Sequence, residues 1–120
     1  MALKTFKPGE TAKIDITVEE EGEAIVMTDA IDIEVELKVQ NPSTGAETAG
    51  YKYKFTPGGG YGKSALQSAS VVRVFVDTTE SVIFQKGLVN AYVTVKMEDA
   101  DQLLGKDVET YGPFLVAKVV

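Results

Sequence analysis

The chain contains no cysteine, no histidine and no tryptophan, and its one arginine is Arg73. Each absence removes a class of chemistry. Without cysteine there are no disulfides, no thiolate nucleophiles and no zinc–thiolate sites. Without histidine there is no Ser-His-Asp triad, no imidazole metal ligand and no side chain whose ordinary pKa lies near neutrality. Catalysis would have to rest on carboxylates, lysines or tyrosines, and no spacing among them selects a reacting pair. The chain is therefore expected not to be an enzyme and to need no cofactor. Long apolar runs are lacking too: none approaches the roughly 20 residues that a helix needs to cross a bilayer, so no membrane partner is expected. The early lysines of "MALKTFKPGETAK" are not followed by an apolar stretch, so no signal peptide is visible. A net charge of −6 opposes phosphate backbones, and nucleic acid is not an expected partner.

What is present suits one globular domain. The 120 residues, 44% apolar and 25% charged, are enough to bury a core without metal or disulfide support, and residues 1–120 read as a single domain. Apolar residues alternate with polar ones at Ile14, Ile16 and Val18, and again, over a longer stretch, at Ile31, Ile33, Val35, Leu37 and Val39. Period two is the signature of a half-buried strand. "NPSTGAETAG" (41–50) is rich in turn formers, and "YKYKF" resumes the alternation with Tyr51, Tyr53 and Phe55 on one face. "SVVRVFVD" (70–77), apolar on both faces, predicts a strand in a sheet interior. "TTESVIFQKG" (78–87) is the one place for a helical turn, with Thr78 or Thr79 as its cap. Strand periodicity returns at Val89, Ala91, Val93, Val95 and Met97, and "GPFLVAKVV" (112–120) reads as a last strand. About seven or eight short strands without a long helical segment predict an all-β fold, an antiparallel immunoglobulin-like β-sandwich. A small barrel is the alternative architecture.

"FTPGGGYGKSAL" (55–66) imitates the end of a phosphate-binding loop at Gly62-Lys63-Ser64. The motif G-x-x-x-x-G-K-[ST] requires a glycine at position 57, where Pro57 stands with no N–H to donate. The stretch instead predicts a loop between strands, with Gly58, Gly59, Gly60, Tyr61 and Lys63 as candidate contacts for a partner. Two acidic groups, Glu19, Glu20, Glu21 and Glu23, then Glu98, Asp99, Asp101 and Asp107, offer oxygen ligands for calcium. Leu103 breaks the EF-hand pattern in the second, and solvated charge is the simpler reading of both, so no metal is expected. Tyr51, Tyr53 and Tyr61 suggest a sugar-stacking platform, which makes a carbohydrate-binding or adhesive module the alternative function.

Two segments together resemble a known family. "FKPGETAKIDITVEEEGEAIVMTDAIDIEVELK" (6–38) has a Gly-acid-Thr start, a strand, an acid-glycine turn and a step at Met27-Thr28-Asp29-Ala30 into a long alternating strand. "DTTESVIFQKGLVNAYVTVKMED" (77–99) has an acid-Thr pair, a short turn, a glycine, an aromatic and an alternating strand. These resemble the N-terminal immunoglobulin-like domain of phage baseplate upper proteins. The resemblance implies a non-enzymatic structural module of a phage or prophage tail, located in the virion or another extracellular assembly. Its implied partners are other protein subunits, including copies of itself as a homo-oligomer.

Overall fold

The computed structural model of the chain describes residues 3–57, 64–99, 101 and 105–120. They form an all-β fold with one short helix. In chain order the elements are β1 (Lys4–Phe6), β2 (Ala12–Thr17), β3 (Glu19–Glu20), β4 (Glu23–Ala24), β5 (Asp32–Gln40), β6 (Glu47–Phe55), β7 (Ser64–Ser68), β8 (Val71–Val76), α1 (Thr78–Ser81), β9 (Gly87–Glu98) and β10 (Lys106–Val119). One sheet has the order β1-β10-β9-β5-β6, a second has β2-β8-β7, and β3-β4 stand apart as a hairpin. Among the described residues no strand pairing joins the two larger sheets.

The larger sheet is mixed rather than purely antiparallel, because β1 runs parallel to β10, with Lys4, Thr5 and Phe6 opposite Ala117, Lys118 and Val119. A turn follows β1. Glu10 N–H donates to the Lys7 carbonyl and Gly9 adopts a φ of 91°, and the chain then leaves the first sheet so that β2 pairs with β8 in the second. The remaining neighbours are antiparallel.

Alternation along the strands decides which side chains meet. Ile33, Val35, Leu37 and Val39 of β5 lie beside Val89, Ala91, Val93 and Val95 of β9. Ile14 and Ile16 of β2 and Val72, Val74 and Val76 of β8 complete one buried cluster shared by both sheets. Each fully buried aliphatic side chain here is worth about 1.5–3 kcal/mol of removal from water. Strand β8 does lie between two others, but its second face is open, and Phe75 is 42% exposed there.

Turn chemistry sets the connections. Asn41 Oδ1 accepts from the backbone of Ser43 and Thr44 in the β5–β6 loop. Glu21 and Gly22 have φ of 53° and 82°, the two positive values that a tight two-residue hairpin requires between β3 and β4. The cap of α1 is Asp77, not Thr78 or Thr79. Its carboxylate accepts from Glu80 N–H at 2.8 Å while Glu80 Oε1 accepts from Asp77 N–H at 3.1 Å, a reciprocal capping box.

Helix α1 and the residues after it close one end of the core. Phe84 is buried, stands 5.8 Å from the Phe6 ring, and lies so close to Gly50 that a Cβ there would meet Phe84 Cε1 at 2.6 Å and the Leu37 carbonyl oxygen at 2.4 Å. Ser81, fully buried, accepts from Gly9 N–H through Oγ at 2.9 Å. Buried Tyr53 donates its hydroxyl to Glu80 at 3.2 Å, so the carboxylate ties β6, Asp77 and the helix together. Burial and the Glu80 charge hold the Tyr53 phenol well above its usual pKa.

Candidate interaction surfaces

The residues singled out in the glycine-rich stretch, Gly58, Gly59, Gly60, Tyr61 and Lys63, lie outside the described residues. Their flanks are clear. Phe55 ends β6 in one sheet and Ser64 begins β7 in the other, so this stretch carries the chain between sheets. A phosphate-binding loop would open a helix at Ser64, and a strand starts there instead.

Among the described residues, Tyr51 and Tyr53 present no open sugar-stacking face, and Tyr61 lies outside the described residues. Tyr53 is buried and committed to Glu80, and half-buried Tyr51 lies beside it with ring centroids 6.4 Å apart. The face carrying Tyr51, Tyr53 and Phe55 packs against the core. Tyr92 instead occupies the outer face of the larger sheet, where its hydroxyl donates to the Glu47 carboxylate at 2.8 Å and Lys38 Nζ stands 5.1 Å from the ring centroid. The hydrogen bond to Glu47 raises the Tyr92 pKa. Around it Asn90 donates to Gln40 and Glu47, and Thr94 bonds Thr110. A shallow depression of about 140 Å³ on this face is lined by Asp32, Glu34, Lys54, Thr94, Lys96 and Val108. The position of Tyr92 was readable from the β9 alternation, since Ala91 and Val93 point inward.

Neither acidic group gathers into a metal site. Among the described residues, no three or more acidic side chains converge on one point. Glu19, Glu20, Glu21 and Glu23 project into solvent from the β3–β4 hairpin. In the second group, Asp99 Oδ1 accepts from Asp101 N–H, a turn contact. Asp107 is raised in pKa by desolvation and by the neighbouring charges of Glu109 and Asp99. Hydrogen bonding to Glu109, with partial burial behind it, pushes Tyr111 up to about 12, and Glu20 of the hairpin adds to this from nearby.

A groove of about 650 Å³ runs along the flank where β1, β2 and residues 113–116 of β10 face one another. It exists because β1 covers only the last three paired residues of β10, and because β2 belongs to the other sheet. Upstream of that patch β10 is irregular. Its register with β9 shifts between Tyr111 and Phe114, across the cis Gly112–Pro113 bond, and again between Leu115 and Ala117. Leu3 and Leu115 line the groove with exposures of 38% and 49%, and Lys4, Lys13 and Asp15 supply its charges. Asp15 is already matched: Arg73 Nε and Nη2 donate to its two oxygens at 2.7 and 3.0 Å, which holds its carboxyl below the usual pKa. The charge left over in the groove is the pair of lysines.

This flank is not legible in the order of residues. A three-residue strand is too short to show a period, and its partner lies more than 100 residues away. Comparison with family models, with curated proteins and with solved structures returns no match to this chain.

Proposed function

We propose that this chain is an immunoglobulin-like β-sandwich serving as a non-enzymatic structural module of a phage or prophage tail-like particle, acting through protein–protein contacts. The observation that carries the fold is the strand order β1-β10-β9-β5-β6 beside β2-β8-β7. The N-terminal segment is divided between the two sheets, and the first strand runs parallel to the last, an arrangement suited to an immunoglobulin-like sandwich. The resemblance of residues 6–38 and 77–99 to phage baseplate domains supports the particle, and the open flank and strand edges supply surfaces for neighbouring subunits. Burial of Tyr53, with Lys38 over the Tyr92 ring, favours protein contacts over sugar stacking.

Sedimentation velocity over a wide concentration range, with and without calcium, tests the reading. A concentration-dependent oligomer indifferent to calcium supports it. A strict monomer throughout removes self-assembly as the role, and a calcium-dependent species transfers attention to the acidic turns.

A further inference from the structure

We infer that the groove beside β1 docks a second copy of this chain and that its occupant is that copy's acidic β3–β4 hairpin. The inference rests on the assembly reading above and names its contact.

Charge complementarity carries it. Four carboxylates, Glu19, Glu20, Glu21 and Glu23, stand within five residues on an exposed hairpin, and among the described residues none of them makes an ion pair. On a chain of net charge −6 the natural place for such a hairpin is a cationic surface. The groove provides one, because Arg73 neutralises Asp15 and leaves Lys4 and Lys13 without an ion-pair partner among the described residues. The apolar parts match as well. Val26, two residues beyond the hairpin, is 58% exposed, and Leu3 and Leu115 are exposed in the groove.

Geometry indicates how two copies would meet. Thr17 lines the groove, Val18 is buried, and β3 begins at Glu19, so the hairpin stands at one end of the groove. Its nearness to β10 is visible in the effect of Glu20 on Tyr111. Groove and hairpin thus share one flank. A two-fold arrangement lays each hairpin in the other copy's groove and closes as a dimer, without open-ended growth. The contact is made by side chains and not by strand addition, since Pro113 and the two register shifts interrupt the β10 edge at this point.

The test uses the full chain in sedimentation velocity. Wild type is expected to form a dimer that weakens as salt rises, because charge attraction between surfaces is screened over about 8 Å at physiological ionic strength. Lys4→Glu/Lys13→Glu and Glu20→Lys/Glu23→Lys are each expected to raise the dissociation constant by about tenfold or more. An equimolar mixture of the two variants is expected to dimerise again, because each altered surface then meets its opposite charge. Recovery in the mixture also excludes misfolding as the cause of the loss. A wild-type dimer unaffected by either variant overturns the inference and leaves the assembly reading standing. Loss in both variants without recovery in the mixture overturns it too, and a strictly monomeric wild type overturns the inference together with self-assembly.

Discussion

The end of the fold closed by α1 and the flank opened between β1, β2 and β10 are built from opposite materials. At the closed end the buried polar groups are satisfied inside the molecule: Asp77 and Glu80 cap each other, Tyr53 bonds Glu80, and Ser81 accepts from Gly9. Phe84 and Phe6 fill the remaining space, and Gly50 is small because two groups already occupy the position of a side chain. Along the open flank Asp15 is matched by Arg73, while two lysines without an ion-pair partner among the described residues and two leucines face solvent. Polar groups satisfied internally stabilise one chain, and unmatched exposed ones are available to a second.

That contrast can be broken by substitution. Phe84→Ala should cost about 4 kcal/mol, since it removes a buried ring and leaves a cavity over Gly50 that neighbouring strands cannot fill; urea unfolding measures it. Tyr53→Phe should cost about 1 kcal/mol at neutral pH through the lost hydrogen bond to Glu80. It should also flatten the alkaline limb of the stability profile. Below the ordinary tyrosine pKa of 10.0 the Tyr53 contribution is complete. Above it the unfolded chain releases the proton that the folded chain retains, so stability falls as pH rises. Tyr111, raised to about 12, adds a similar slope, so the variant reduces the decline without abolishing it. Leu115→Ser on the open flank should change unfolding free energy by no more than about 0.5 kcal/mol. A loss near that of Phe84→Ala would mean that the groove belongs to the core of the monomer.

The same two regions differ in how far residue order discloses them. Strands β5 and β9 were legible because nine and twelve residues of alternation leave one face for burial. The cap was nearly so. Threonine at 78 or 79 and aspartate at 77 all favour that role, and what decides is Glu80 three residues after Asp77, which completes a reciprocal pair. Tyr53 was assigned its face, but alternation does not say what covers a face, and α1 is what takes Tyr53 out of solvent. Strand β7, "SALQS", carries little intrinsic strand preference and is held by pairing with β8. The groove was invisible because it depends on contacts between the first few residues and the last, on which no local pattern reports.

The parallel patch between Lys4–Phe6 and Ala117–Val119 also fixes how the molecule answers to pulling. A load drawing the start of β1 and the end of β10 apart acts along both strands in opposite directions. The bonds of the patch, with the Val120 N–H to Phe6 carbonyl bond beyond it, are then strained together in shear instead of parting one after another from an end. Short as it is, this clasp must give way as a unit before the first and last strands can separate.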